Sequence, residues 1–329
     1  MNGLDVLSAR LGNQKLSSSG LKEAVDVVRW FGAVQAQDFN AAKWALALRM
    51  RQATVAAVEE AFNKGEILRT HVMRPTWHFV APEDIRWLLQ LTAARVNLRA
   101  GPNYRKFELD AVVFKRANKI FTKALQGGKY LTRPELKAAL NRAGVDANDP
   151  VRLAHILLRA ELDAVICSGP RIGKQFTYAL LEERASATKT FNRDEALAEL
   201  TRRYFRSHAP ATLQDFVWWS GLTVEDAKRG IAQVGTPRSA RTKQSSTTSA
   251  HLLPAFDEYF VAYKDRHIAA GSLSKWDVLG PTFIINGIAA GRWKRTSKGE
   301  IEFNPSRALK KSEQLALKQA VDRYSTFLS

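Results

Sequence analysis

Two short helices joined by a tight glycine turn are the sequence feature that most constrains the fold of this chain. Residues 212–215 (Thr-Leu-Gln-Asp) are typical of the capped start of one helix, and residues 223–226 (Thr-Val-Glu-Asp) of the start of the next. Residues 220–222 (Ser-Gly-Leu) lie between them and leave room only for a tight turn. This spacing predicts a helix-turn-helix, although an ordinary pair of antiparallel helices would give a similar pattern.

A related order of elements, helices followed by a hairpin, is predicted twice before this motif. In the first stretch, apolar residues recur at helical spacing before residue 35, and strands are predicted over residues 67–73 and 77–80. In the second stretch, Thr132 and Asp149 are typical helix N-caps, and two strands are predicted on either side of the basic segment 169–174. Each stretch has the pattern of a winged-helix unit.

These patterns predict a mainly α fold with β wings, of the α+β class, with three tandem winged-helix modules and a β-containing C-terminal portion. The predicted segments are three modules at 1–105, 106–188 and 189–250, and a C-terminal region at 251–329. Residues 235–250 contain almost no apolar side chains and are predicted to form a flexible basic loop. The C-terminal region is expected to contain an Asn286-Gly287 hairpin and a terminal helix capped by Ser312.

A large excess of positive charge indicates a polyanionic partner. The 329 residues include 50 Lys and Arg against 32 Asp and Glu, which gives a formal net charge of +18. Since cationic surfaces attract phosphate backbones, double-stranded DNA is the predicted partner. The candidate DNA contacts are Arg74 and His78 in the first predicted wing and Arg171 and Lys174 in the second. An ordinary solvated or structural role is the alternative for each of these side chains.

The use of cysteine and histidine argues against a metal site or a disulfide. A single cysteine, Cys167, cannot form an intrachain disulfide, a cysteine-rich zinc site or an iron–sulfur cluster. The six histidines are dispersed, so we expect no metal and no cofactor. The sequence shows neither a secretory signal nor an apolar run long enough to span a membrane. We therefore expect a cytoplasmic, nucleoid-associated protein with no membrane partner.

Residues 32–38, with the sequence Gly-Ala-Val-Gln-Ala-Gln-Asp, follow the first apolar helix and carry a resemblance to a known family. The chain resembles the winged-helix DNA glycosylases of the AlkZ/YcaQ type, the HTH_42 family, and within it the AlkZ-like branch. That branch has Gln, an aliphatic residue and Gln in its catalytic element. The resemblance extends in the family's order over most of the chain, through residues 73–80, 208–212 with Asp215, 253–259 and 265–266. One departure is visible, because Pro75 and Trp77 stand where the family commonly has Gly and Leu.

The resemblance implies that Gln35 and Gln37 are catalytic and that the chain is a monofunctional DNA glycosylase acting on alkylated or crosslinked bases. Breaking the C1′–N bond of a nucleoside requires a water on the face opposite the departing base. Glutamine carbonyls can orient that water, but they are weak bases, so the leaving base should be activated already, as a cationic N-alkylpurine is. Asp38 is the reserve candidate for a base or charge stabiliser. The alternative for both glutamines is a structural role in the core or at a helix cap.

Two functions of other classes also fit the composition. A non-enzymatic winged-helix DNA-binding protein, such as a transcription regulator, would use the same helices to contact a major groove. Such regulators usually dimerise, whereas no heptad repeat or separate dimerisation element is evident, and we expect a monomer. A basic scaffold that binds another protein has little support in the sequence.

Overall fold

Short helices alternate with small antiparallel sheets along the chain in a computed structural model, which describes residues 3–17, 20–186, 189–235 and 247–329. Two units are compact in themselves. Unit 1 consists of Met1–Glu59, Ala198–Trp219 and Thr223–Ser329, and unit 2 consists of Glu60–Leu197 with Ser220–Leu222. The predicted α+β class is confirmed. The division into three winged-helix modules and a C-terminal region stays a prediction.

Unit 1 has helices from both ends of the chain. Its first elements are α1 (Gly3–Asn13), α2 (Ala24–Phe31), the two-residue strand β1 (Val34–Gln35), α3 (Phe39–Ala47) and the start of α4 (Val55–Lys64). Thr54 accepts a hydrogen bond from the backbone N–H of Ala57 at 3.1 Å and so caps the start of α4. Helix α1 is a helix that the sequence patterns above do not predict.

Unit 2 contains two small β structures and most of the long helices. The chain forms β2 (Leu68–Val72), β3 (Arg74–Val80), α5 (Ile85–Lys106), α6 (Ala111–Leu125), β4 (Leu131–Thr132), α7 (Arg133–Arg142), α8 (Pro150–Leu162), β5 (Ile166–Ser168), β6 (Thr177–Leu180) and α9 (Leu181–Arg184). Strands β2 and β3 form an antiparallel hairpin, and β4, β6 and β5 form a sheet in that order. The capping box at Thr132 and the Asp149 cap of α8 are both confirmed.

The chain returns to unit 1 within α10 (Arg193–His208). The remaining elements are α11 (Leu213–Ser220), α12 (Val224–Val234), β7 (Ala250–Leu253), α13 (Glu258–Val261), α14 (His267–Ala270), a 3-10 turn (Asp277–Leu279), β8 (Thr282–Ile285), β9 (Ile288–Arg295), β10 (Ile301–Pro305) and α15 (Lys311–Leu328). Strands β10, β9, β8 and β7 form an antiparallel sheet in that order, and α15 packs on β7 and α3.

Local geometry explains the two glycine turns singled out in the sequence. Gly221 has φ +70°, and a Cβ on it would lie 2.1 Å from the carbonyl oxygen of Met73, so no larger residue fits there. Asn286 and Gly287 have φ values of 48° and 84°. Positive φ at both positions is what a two-residue hairpin turn requires, and the predicted hairpin between β8 and β9 is confirmed.

One helix boundary differs from its prediction. The terminal helix begins at Lys311, and Lys310 rather than Ser312 occupies its N-cap in a capping box with Glu313. The predicted basic loop at 235–250 lies largely outside the described residues. Among the helices that the structure describes, none combines the length and apolar character of a membrane span.

Candidate active site

Gln35, at the end of β1, is held by its backbone. Its N–H donates a hydrogen bond to Glu258 Oε1 at 2.8 Å, and the residue is 8% exposed. The side-chain Oε1 is buried, and no described residue donates a hydrogen bond to it. A buried carbonyl oxygen without a donor costs free energy, so Gln35 Oε1 is a candidate acceptor for a further hydrogen bond.

Gln37 and Asp38 lie in the bend after β1 and are exposed. Extended backbone therefore ends at Gln35, and the two glutamines differ in burial. The Asp38 side chain is the N-cap of α3, where its Oδ1 accepts a hydrogen bond from the Ala41 N–H at 3.0 Å. A cap of this kind stabilises a protein by about 1 kcal/mol. Asp38 thus has a structural function whatever its role in chemistry.

Glu258 is a buried carboxylate that the sequence analysis did not single out. It is 1% exposed at the start of α13, and besides the Gln35 N–H its carboxylate accepts a hydrogen bond from Trp219 Nε1 at 3.0 Å. His208 Nε2 lies 3.5 Å from Glu258 Oε2, the oxygen that accepts from Trp219. The signal available in the sequence was the family-like segment 253–259, which contains this residue.

His208 is completely buried beside Glu258. Burial lowers the pKa of the imidazole below its ordinary value, although the neighbouring Glu258 carboxylate acts in the opposite direction. The ring Nδ1 lies 2.8 Å from the Ser207 hydroxyl and 3.1 Å from the carbonyl oxygen of Tyr204. His208 therefore provides a polar but uncharged wall for the carboxylate.

A buried ion pair fixes the helix that carries Glu258. Arg49 donates to both carboxylate oxygens of Asp257, at 2.8 and 2.9 Å, and Gln14 Oε1 accepts from Arg49 at 3.1 Å. Asp257 also caps α13, because its Oδ1 accepts from the Tyr259 N–H at 2.9 Å. Rotation of Glu258 would require this network to move, so the carboxylate beneath Gln35 is well ordered.

Four of the family-like segments lie together in unit 1. Segments 35–37, 208–215 and 253–259 meet around Glu258, as the contacts above describe. In segment 265–266, the Arg266 side chain donates to the Phe260 carbonyl at 2.8 Å, at the end of α13. The remaining segment, 73–80, belongs to unit 2. Gln35, His208 and Glu258, from three of these segments, therefore form one buried polar cluster.

The four predicted DNA contacts all belong to unit 2. Lys174 is exposed and Arg171 half-buried, and both lie in the connection between β5 and β6. Arg74 is half-buried, whereas His78 is completely buried and its Nδ1 lies 2.9 Å from the Thr76 carbonyl oxygen. Direct contact between His78 and DNA would require this part of β3 to open. As DNA contacts, all four remain predictions.

Helix α6 has a basic row that the sequence analysis did not identify. Lys115, Lys119 and Lys123 are exposed and four residues apart, so they share one face of the helix. None of them makes an ion pair or hydrogen bond with another described residue. Free ammonium groups in a row are suited to a line of phosphates. Within the described ranges, no group of three or more His, Cys, Asp or Glu side chains is placed to hold a metal ion.

The fold is that of a solved DNA glycosylase. The fold is similar to that of the solved DNA glycosylase AlkZ from Streptomyces sahachiroi, with a TM-score of 0.80 and 21% identity over 99% of this chain and 96% of that one. A family model described as DNA glycosylase AlkZ-like matches residues 28–327, so the chain belongs to this family, whose members are hydrolases that act on DNA. The predicted resemblance and the predicted enzyme class are confirmed.

A named relative gives the same result at the level of sequence. The interstrand DNA cross-link repair glycosylase of Streptomyces sahachiroi is 26% identical, and the match covers 88% of this chain and 86% of that protein. Family membership favours a DNA glycosylase over a non-enzymatic regulator.

Proposed function

We propose that this protein hydrolyses the N-glycosidic bond of a cationic N-alkylpurine or a crosslinked base in double-stranded DNA, with Gln35 and Gln37 positioning the attacking water. The observation that supports this most directly is the buried Gln35 Oε1, which accepts no hydrogen bond from the described residues. A glutamine with a purely structural role would be expected to bond its neighbours. Gln35 Oε1 can therefore accept a hydrogen bond from the water that this reaction requires.

The proposed chemistry follows from what an amide can do. The water oxygen attacks C1′ while the C1′–N bond breaks, and the bonding electrons neutralise the positive charge of the departing base. Gln35 and Gln37 orient the water but cannot remove its proton, which leaves through solvent at the exposed side where Gln37 and Asp38 lie. This division of labour suits a leaving base that is already cationic. The strand stays intact, so the enzyme is monofunctional.

The relative from Streptomyces sahachiroi is an interstrand DNA cross-link repair glycosylase, which supports crosslinked bases as part of the substrate range proposed here. Crosslinks made through purine N7 leave a cationic base, so simple N7-alkylpurines and such crosslinks present the same chemistry at C1′. One active site can therefore serve both.

Duplex binding is assigned to phosphate contacts from unit 2. Arg171 and Lys174 between β5 and β6 and the lysine row of α6 supply cationic side chains at two places. Phosphate contacts hold a protein on the duplex without reading its sequence, which suits an enzyme that finds lesions in any sequence.

Abasic-site formation tests the proposed function. Purified protein is incubated with one duplex carrying N7-methylguanine and another carrying a nitrogen-mustard crosslink, and abasic sites are cut with alkali. We expect alkali-dependent cleavage of both, with no cleavage before alkali and no loss of activity in EDTA. A lack of abasic sites in both duplexes contradicts the proposal. Activity that EDTA removes and a divalent ion restores replaces the glutamine mechanism with metal-activated hydroxide.

A further inference from the structure

A cavity of about 350 Å³ lies in unit 2 and has no part in the reaction proposed above. The side chains that matter for its chemistry are His71, Trp77, Arg99, Arg133, His155 and Tyr178. No acidic side chain lines it within the described part of the chain. Its volume is in the range of small-molecule sites, and its lining combines cationic, aromatic and aliphatic groups.

A buried carboxylate outside the lining, that of Glu161, orients His71 on one wall of the cavity. His71 Nδ1 lies 2.5 Å from Glu161 Oε2, and the same oxygen accepts the backbone N–H of His71 at 2.8 Å. The Trp77 ring packs against the His71 ring, with centroids 4.4 Å apart. Because Glu161 occupies Nδ1, the ring orientation is fixed and Nε2 is the nitrogen left for another partner.

Several polar groups of the lining have no partner in the described chain. The Tyr178 hydroxyl makes no hydrogen bond with a described residue, and burial raises the pKa of Tyr178, so the hydroxyl stays a donor. His155 Nδ1 is buried without a partner, and burial lowers the pKa of that imidazole, so the ring is neutral. Arg99 is exposed and makes no ion pair with a described residue.

The guanidinium groups and the apolar floor favour a planar, anionic ligand. Arg99 and Arg133 border the cavity, and guanidinium groups bind phosphate oxygens well. Leu157 and Leu158 provide an apolar floor beside the neutral His155 ring. A nucleobase fits such a slot because its faces are apolar while its edges form hydrogen bonds.

We propose that this cavity binds one nucleoside monophosphate unit, with the base in the aliphatic and imidazole slot and the phosphate on Arg99 and Arg133. Tyr178 and His71 Nε2 contact the edge of the base. A displaced nucleotide of a DNA strand and a free nucleotide share this chemistry. All lining residues belong to unit 2, whereas Gln35 belongs to unit 1, so the site is defined independently of base excision.

Binding of undamaged single-stranded DNA tests the site without any excision. The affinity of full-length protein for a fluorescent 12-nucleotide strand is compared among Arg99→Ala, Tyr178→Phe and the control Arg105→Ala, an exposed arginine of the same helix that does not line the cavity. We expect a loss of about 10-fold for Arg99→Ala and roughly threefold for Tyr178→Phe, with Arg105→Ala weaker by less than about twofold. Equal losses for Arg99→Ala and Arg105→Ala overturn the proposal.

Two further measurements use the wild-type protein. A strand containing 5-iodouracil should photocrosslink to peptides that contain Trp77 or Tyr178, and crosslinks confined to other peptides contradict the site. A deoxynucleoside monophosphate is then added as competitor. If the monophosphate displaces the labelled strand from the wild type but not from Arg99→Ala, free nucleotide is a ligand of the cavity. If strand binding depends on Arg99 but the monophosphate does not displace the strand, the ligand is the DNA strand. Absence of both kinds of binding overturns the proposal, even where the excision assay succeeds.

Discussion

The carboxylate of Glu258 accepts a hydrogen bond from the backbone N–H of Gln35, with the two atoms 2.8 Å apart and the two residues 223 positions apart in the chain. The contact uses the backbone of Gln35 and leaves its side-chain amide free. We therefore infer that Glu258 is a positioning residue, which holds the strand end in place and leaves the Gln35 amide available to the water of the proposed reaction. A second bond, from Trp219 Nε1, fixes the carboxylate itself.

Replacement of Glu258 by Gln should disturb this arrangement with little change of shape. One oxygen can still accept from the Gln35 N–H, but the amide NH₂ then faces the donating Trp219 Nε1. We expect a loss of about 1 to 3 kcal/mol in the free energy of unfolding and a fall in kcat at unchanged KM. Urea unfolding and single-turnover excision measure these. Trp219→Phe removes the clashing donor and should therefore cost less stability in the Glu258→Gln background than in the wild type; equal costs in the two backgrounds contradict the assigned contact.

Gln35→Leu separates catalysis from stability more cleanly than a truncation to alanine. Leucine has nearly the volume of glutamine, and the Gln35 amide makes no hydrogen bond with a described residue that leucine would lose. We expect excision of N7-methylguanine to fall roughly 10- to 1000-fold while the melting temperature is unchanged or rises. A fall in melting temperature with normal excision by the folded fraction would establish the structural role instead.

Gln37→Ala gives the matching test at the exposed position. Loss of a solvent-facing side chain changes stability by less than about 0.5 kcal/mol, so any large effect on excision reports on chemistry. We expect excision to fall within the same range as for Gln35→Leu, with duplex affinity preserved in a salt-matched binding assay. Wild-type excision by Gln37→Ala would assign the water to Gln35 alone.

The role of Asp38 can be resolved with two substitutions that differ in capping. Asparagine is as good an N-cap as aspartate, whereas alanine is not, so Asp38→Ala should lose about 1 kcal/mol of stability and Asp38→Asn little. If Asp38 acts only as a cap, both variants retain excision once folded. Abolished excision in Asp38→Asn, with active Gln35 and Gln37 variants, moves catalysis to this carboxylate.

Local signals in the sequence predicted local structure well. The caps at Thr132, Asp149 and Thr223 depend on side chains within three residues of the backbone they bind, and all three are present. Helix α6 has an equally clear signal, an Asp110 cap before an apolar row, although the sequence analysis does not predict this helix. Such features can be read from the sequence because turn and cap chemistry is short in range.

The site was predicted only in part, because its contacts join distant residues. The glutamine motif could be recognised, but no periodicity indicates that Glu258 supports Gln35 or that Arg49 fixes Asp257. The burial of His78 is likewise set by the packing of its strand rather than by the neighbouring sequence. Residue types suggested chemistry, whereas the fold decided which side chains meet.

The lysine row of α6 predicts a specific change in salt dependence. Each phosphate contact contributes about 0.9 to the slope of log K against log salt concentration on duplex DNA. Replacing Lys115, Lys119 and Lys123 with alanine should therefore lower the magnitude of the slope by about 2 to 3. The control replaces three other exposed lysines, at positions 298, 311 and 318, and changes the net charge equally. Equal slopes for the two triple variants would show that the three lysines act only through the net charge and make no phosphate contacts of their own.

Acid sensitivity should trace to a buried histidine in the C-terminal sheet. His251 lies in β7, and burial first, with nearby Arg323 and Arg49, lowers its pKa to about 4. Because the folded-state pKa is below the ordinary value near 6.5, the unfolded chain binds a proton that the folded protein does not, and stability falls as the pH drops from about 6.5 to about 4. Between about pH 7.5 and about pH 5 this amounts to about 2 kcal/mol. Over the same pH interval, the free energy of unfolding in urea should fall by about 2 kcal/mol less for His251→Gln than for the wild type. Parallel pH profiles for the two proteins would show that other groups cause the loss of stability in acid.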